Sequence, residues 1–217
     1  MTGERAETAR GVRDAHEGKS RGRGLVAVDV ALPLAGPHFV TSFLAAAAAA
    51  HVLGVVPEAM AEAATKVRPA RHRGEVLGLG GGTTLLDDCY NSSPEALEAA
   101  VVTLGLLPGR RRVAVLGDML ELGATSPALH RERGRSLKSR VDAVLGVGTL
   151  AKEILLGARE AGMDEASLHH FTTAAEAADG SFSLIHPGDA VLVKGSRGVR
   201  LEAVVDALVA RFGREEA

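Results

Sequence analysis

From about residue 111 onward the sequence alternates between two kinds of segment, and that alternation limits the fold more than any other feature. Arg112-Val113-Ala114-Val115-Leu116, Ala143 to Val147, His169 to Phe171 and Ala190 to Val193 are short, β-rich runs. Between and after them lie segments of helical character: Pro127 to Arg140, Leu150 to Ala161, Ala174 to Leu184 and Leu201 to Phe212. Strands interleaved with helices at this spacing imply βαβ units and a parallel sheet covered on both faces. Just upstream, Glu75 to Leu79 and Thr83 to Asp87 read as strands about the turn Gly80-Gly81-Gly82. Pro94 to Leu106 reads as an amphipathic helix capped by Ser93. The expected fold class is α/β, a doubly wound, mostly parallel sheet over residues 75–217.

The part before residue 75 is of another kind. Residues 1–24 carry charges, glycines and alanines with Val12 nearly their only strongly apolar side chain, a composition expected of a disordered tail. Leu25 to Val30 reads as a short strand closed by Pro33 and Gly36. Thr41 to Leu53 holds six consecutive alanines and ends at Gly54, which predicts a helix. Pro57 suits the first turn of a second helix running to about Lys66. One strand and two helices cannot enclose a core of useful size, so residues 25–74 are expected to belong to a larger domain.

Composition removes several function classes. Aromatic residues make up only 3% of the 217, with no Trp, which argues against a stacking platform for single-stranded nucleic acid. A formal charge of −2 argues against general binding to phosphate backbones. One cysteine excludes an internal disulfide and any multi-cysteine zinc site. No apolar run reaches the roughly 18 residues of a membrane span, and no apolar stretch follows the charged N-terminus as in a secretory signal. The expectation is a cytoplasmic protein that engages neither nucleic acid nor membrane.

Ligands of doubly wound domains bind beyond the carboxyl ends of the strands. The first such loop, Asp87-Asp88-Cys89-Tyr90-Asn91-Ser92-Ser93-Pro94, sets two carboxylates, a phenol and an amide before a helix start. These groups suit ribose hydroxyls or a metal, and equally ordinary turn and capping chemistry. The second, Gly117-Asp118-Met119-Leu120-Glu121-Leu122-Gly123, offers Asp118 and Glu121. The last, Lys194-Gly195-Ser196-Arg197-Gly198, offers two cations and a hydroxyl suited to a carboxylate or phosphate. No phosphate loop of the form G-x-x-x-x-G-K-[ST] occurs, and no G-x-G-x-x-G opens the α/β domain, which speaks against nicotinamide cofactors. The eight histidines show no metal-ligand spacing, and His169 and His170, being adjacent in a strand, point to opposite faces. Cys89 reads as a small buried side chain and Arg110-Arg111-Arg112 as a solvated loop.

Taken in order, LLDDCYNSSPEAL, RRVAVLGDMLELG, Leu129-His130 and VLVKGSRGVRLE closely resemble the Rossmann-like C-terminal domain of the Mur ligases. Upstream, LPLAGPHFVTSFLAAAAAAHVLGV resembles the end of that family's central ATPase domain, and RHRGEV the segment joining the two. The resemblance covers about Leu25 to Phe212. It implies an ATP- and Mg2+-dependent amide ligase of peptidoglycan synthesis, of the branch that joins D-alanyl-D-alanine to UDP-N-acetylmuramoyl-tripeptide. By the same resemblance, Arg73 reaches the nucleotide phosphates, Asp88 lies beside the ribose, and Tyr90, Asn91, His38 and Ser42 lie near the nucleotide. Asp118, Glu121, Lys194, Ser196 and Arg197 are implied on the substrate side.

The departures carry expectations of their own. The family's basic residue, His, Asn and second Asn read here as Pro37, His38, Phe39 and Ser42, and Ser42 has no flat amide to pack on adenine. The phosphate loop, magnesium-binding glutamate and modified lysine have no counterpart in these residues, so no catalytic or metal-holding side chain is expected and the chain alone should not turn over. The alternatives are a non-catalytic binding module, a subunit working with a separate chain that carries the missing domains, or a Mur-like ligase for another amino acid.

Overall fold

A computed structural model describes residues 27–215, so the expected tail at residues 1–24 lies outside the described residues. Two helices come first, α1 (His38–Val52) and α2 (Pro57–Ala64). The α/β domain follows as β1 (Glu75–Leu79), β2 (Thr83–Asp88), α3 (Pro94–Leu106), β3 (Arg111–Gly117), α4 (Ser126–Arg135) and β4 (Ala143–Val147). It continues through α5 (Ala151–Glu160), β5 (Leu168–Phe171), α6 (Ala174–Leu184), β6 (Asp189–Lys194) and α7 (Glu202–Phe212).

The six strands form one sheet in the order β1-β2-β6-β3-β4-β5. β1 pairs antiparallel with β2, and every other neighbour pair is parallel. Residue parity along the strands sorts two cores, because successive strand side chains point to opposite faces. Leu85, Val113, Val115, Leu145, Val147, Val191 and Val193 face α6 and α7. Leu86, Ala114, Leu116, Val144, Ala190 and Leu192 face α3 and α5. Strands buried on both sides explain why these runs are continuously apolar in the sequence rather than alternating.

α4 and α5 cross at a glycine contact. A Cβ on Gly134 would collide with the Ile154 carbonyl, and one on Gly157 with the Arg131 carbonyl. The two backbones therefore touch, which no larger residue would permit.

Three local expectations are corrected. Residues 27–30 are not a strand: they have no ladder partner, and an isolated strand leaves its backbone groups unpaired. α4 stops at Arg135 instead of reaching Arg140, since the Ser136 hydroxyl donates back to the Arg133 carbonyl, Leu137 is buried and Ser139 adopts a φ of 67°. The run Arg110-Arg111-Arg112 is not simply a solvated loop: β3 begins at Arg111, whose guanidinium pairs with Asp189 at 3.0 Å.

Candidate functional site

β2 and β6 run parallel and end together, and their register sets Asp88 opposite Lys194. Lys194 Nζ lies 2.6 Å from Asp88 Oδ2 and donates to the Asn91 carbonyl at 2.9 Å. The Lys194 side chain is 2% exposed and that of Asp88 24%, so the ammonium is held inside the fold while the carboxylate reaches its surface. Asp88 Oδ1 has no protein partner among the described residues. The family resemblance implies different ligands for these two side chains; the fold joins them, although they lie 106 residues apart.

Beside this pair, two guanidinium groups converge on one ring. The Arg73 carbon lies 3.9 Å and the Arg197 carbon 5.0 Å from the Tyr90 centroid, within cation–π range. The Tyr90 N–H donates to the His72 carbonyl at 3.0 Å, which ties the loop after β2 to the segment entering β1. A cleft of about 310 Å3 opens here, lined by His38, Phe39, Arg73, Asp88, Asn91, Lys194 and the first turn of α3. Ser93 caps that helix by accepting the Ala96 N–H at 3.2 Å, with Pro94 at its first position. A helix start and two cations favour an anion, and the open carboxylate oxygen suits a sugar hydroxyl. These groups fit the ribose and phosphate portion of a nucleotide. Ser42 is not among the cleft residues: it is exposed, one turn further along α1, and its hydroxyl donates only to the His38 carbonyl at 3.5 Å. The rings of His38 and Phe39, 4.2 Å apart, stand at the cleft instead.

Magnesium does not fit these residues in the same way. It asks for oxygen ligands in near-octahedral array. Among the described residues the metal-type cluster is His72, Asp87 and Cys89, which offers one nitrogen, one carboxylate and one sulfur. Burial and the charges of Asp87 and Glu202 push the Cys89 thiol well above the ordinary thiol range, so it is no nucleophile in this state.

A second cleft, of about 500 Å3, lies over the ends of β3, β4 and β5, lined in part by Asp118, Thr149, Thr172, Thr173, Ala174 and Arg200. The Asp118 carboxylate accepts the Thr149 N–H at 3.1 Å and the Ala151 N–H at 2.7 Å, serving the start of α5. The Asp118 carbonyl accepts the Ser196 N–H at 3.0 Å, and Ser196 Oγ accepts the Leu120 N–H at 2.9 Å. The loops after β3 and β6 are thereby stitched together. Met119 N–H donates to Nε2 of the fully buried His130 at 2.8 Å, which leaves Nδ1–H for the Ser126 carbonyl at 2.7 Å. In the sequence Leu129-His130 carries only the family resemblance; the spacing of four between Ser126 and His130 on a helix is the signal for this buried link. Glu121 is exposed, has a φ of 66°, and makes no side-chain bond to the described residues.

Comparison with known proteins identifies the family of the domain that carries these loops. The model of the Mur ligase, glutamate ligase domain matches residues 72–197. The UDP-N-acetylmuramoyl-tripeptide–D-alanyl-D-alanine ligase of Mycobacterium tuberculosis is 40% identical over 203 residues, covering 84% of this chain and 40% of that protein. Its counterpart in Escherichia coli is 36% identical over 184 residues, covering 83% and 39%. A crystal structure of MurF from Acinetobacter baumannii superposes with a TM-score of 0.75 at 33% identity, over 83% of this chain and 40% of that one. MurF of Thermotoga maritima, solved in complex with ADP, gives 0.66 at 26% identity, over 81% and 38%. The chain thus spans about two fifths of the length of the relatives it matches. With the family's domain recognised across residues 72–197 and the α/β fold shared with MurF at a TM-score of 0.75, this chain belongs to the Mur ligase family and carries a MurF-like C-terminal domain.

Proposed function

We propose that this chain supplies the nucleotide-ribose and acceptor side of a D-alanyl-D-alanine-adding ligase of peptidoglycan synthesis. The observation that carries the reading is the Asp88–Lys194–Asn91 junction, flanked by Arg73, Tyr90 and Arg197, between two clefts at the carboxyl ends of the strands. In the first cleft, Asp88 Oδ1 accepts a ribose hydroxyl while Lys194 holds the carboxylate in place, and Arg73 faces phosphate. ATP supplies the phosphoryl group that activates the tripeptide carboxylate. In the second cleft, Arg200 and the start of α6 meet the dipeptide carboxylate, and Ala174 and Ala175 leave room for methyl side chains. Asp118 acts there as a positioning residue, because its oxygens are already engaged with Thr149 and Ala151.

The 217 residues carry no phosphate loop, so we expect binding without turnover. Titration calorimetry should detect D-alanyl-D-alanine but not L-alanyl-L-alanine, with the heat lost in Arg200→Ala. Equal heats for both dipeptides, or none for either, would overturn the acceptor assignment. Phosphate release from ATP on adding the dipeptide would overturn the expectation of no turnover.

A second reading, a binding subunit that works against another polypeptide, draws on α1. None of its 15 residues is buried, and Leu44 and Val52 are 60% and 84% exposed. Apolar surface of that kind is normally covered by a further protein surface.

A further inference from the structure

Asp87 is a buried carboxylate, 1% exposed, whose basic hydrogen-bond partner among the described residues is a histidine and not a lysine or arginine. Buried charges are paired or bind metal. Its two oxygens face two potential metal ligands. His72 Nδ1 lies 2.7 Å from Oδ2, and Cys89 Sγ lies 3.1 Å from Oδ1. The ligand atoms of the three residues all lie within 4.8 Å of one another. We propose that His72, Asp87 and Cys89 form a binding site for one thiolate-accepting divalent cation of the zinc class, which fastens the turn before β1 to the end of β2.

The donor set selects the ion. Imidazole, carboxylate and thiolate suit Zn2+ or Co2+, and three protein ligands leave a fourth tetrahedral position for water. Bond lengths of about 2.0–2.3 Å to such an ion set its ligands about 3.4–3.6 Å apart. Changes of about 0.5 to 1.3 Å in the separations convert the present hydrogen-bonded trio into that spacing. The electrostatics point the same way. Asp87 and Glu202 set negative charge beside the thiol, which draws a cation in. The backbone shows that the trio is held at some cost: His72 sits at a φ of 63°, a left-handed conformation that brings its ring onto Asp87.

The proton balance is simple. The ion bonds to sulfur as the S–H bond breaks, and that proton leaves to solvent. The imidazole, neutral throughout, exchanges the Nδ1 proton it donates to Asp87 Oδ2 for one on Nε2, which frees the Nδ1 lone pair and leaves its charge unchanged. One proton is released per ion bound. The consequence reaches the nucleotide cleft, because Arg73 follows His72, Tyr90 follows Cys89, and Arg73 lies over the Tyr90 ring.

Cobalt titration of the whole chain under reducing conditions tests the proposal. The only cysteine is Cys89, so a sulfur-to-cobalt absorption band in the near ultraviolet can arise from this site alone. The band should saturate at one ion per chain, release one proton per ion, and disappear on adding Zn2+. Cys89→Ser should abolish it with an unchanged circular dichroism spectrum. His72→Gln should weaken cobalt binding at least about 10-fold, whereas His169→Gln should not change it. If Cys89→Ser does not fold, the His72 and His169 variants decide the matter. No sulfur band in the folded wild-type chain, a band that saturates at one ion per two chains, or equal cobalt affinity in the His72 and His169 variants would overturn the proposal.

Discussion

Lys194→Met is the perturbation whose outcome follows most directly from the structure. Methionine keeps the unbranched stem in its buried slot and removes the ammonium. Two acceptors then lose their donor, Asp88 Oδ2 at 2.6 Å and the Asn91 carbonyl at 2.9 Å. Removing one partner of a buried ion pair costs about 3–5 kcal/mol. The Asp88 side chain is 24% exposed, so water can recover part of the loss, and the low end, about 3 kcal/mol, is the expected value. With a urea dependence of about 2 kcal/mol per molar for a domain of this size, the unfolding midpoint should fall by about 1.5 M. Asp88→Asn keeps an acceptor opposite the ammonium and should cost less, about 1–2 kcal/mol. The double variant leaves no charge stranded and should lie within about 1 kcal/mol of wild type, a coupling of at least about 3 kcal/mol. Urea titrations of the four proteins complete the cycle. Additive effects, or a shift below about 0.5 M for Lys194→Met, would refute the claim that the pair is held inside the fold.

Two further outcomes can be measured on the same footing. Gly134→Ala drives a Cβ into the Ile154 carbonyl and should cost about 2–3 kcal/mol, a fall of roughly 5–10 °C in Tm. Gly105→Ala meets open space late in α3 and should instead gain up to about 1 kcal/mol, so thermal melts of the two variants should move in opposite directions. The hydrogen bond from Arg140, with the charges of Arg140 and Arg133, holds the Glu98 carboxyl below its ordinary value of 4.5. Its folded value is depressed, so its contribution is present above that ordinary value and fades as the pH falls through it and below. The pair is partly exposed, so Glu98→Gln should cost less than about 1 kcal/mol at neutral pH, with the difference vanishing in acid denaturation curves.

The sheet was legible in the sequence because its strands are buried on both faces and so are written as unbroken apolar runs; Ala143–Val147 keeps the bounds read for it. Elements that depend on a partner were less legible. Nothing local in Leu25 to Val30 reveals that residues 27–30 meet no neighbouring strand, and nothing local in Pro127 to Arg140 shows that Leu137 turns inward after a serine back-bond. The site divides along the same line. The loops after the strands could be named, since chain order and residue type mark them. The pairing of Asp88 with Lys194 could not, because it follows from the order β1-β2-β6-β3-β4-β5 and not from any spacing. His72 with Asp87 was hidden for the same reason, since a strand, a turn and a second strand separate two groups that end 2.7 Å apart.

That strand order also makes the site depend on completion of the domain. β6 is hydrogen-bonded to β2 on one side and β3 on the other, so the last strand of the sheet is its centre. Until β6 inserts, β1-β2 and β3-β4-β5 have no ladder between them, and Asp88 has no counter-ion. Lys194, the last residue of β6, arrives with the strand that closes both cores: Val191 and Val193 on one face, Ala190 and Leu192 on the other. The loop that follows supplies Ser196 to the Leu120 N–H and Arg197 to the Tyr90 ring. Neither cleft can exist in a partly formed sheet, because each borrows a wall from the segment between Lys194 and Arg200. The binding geometry is therefore made by the same non-local step that makes the fold cooperative, so that a chain able to bind through these clefts is one whose central strand is in place.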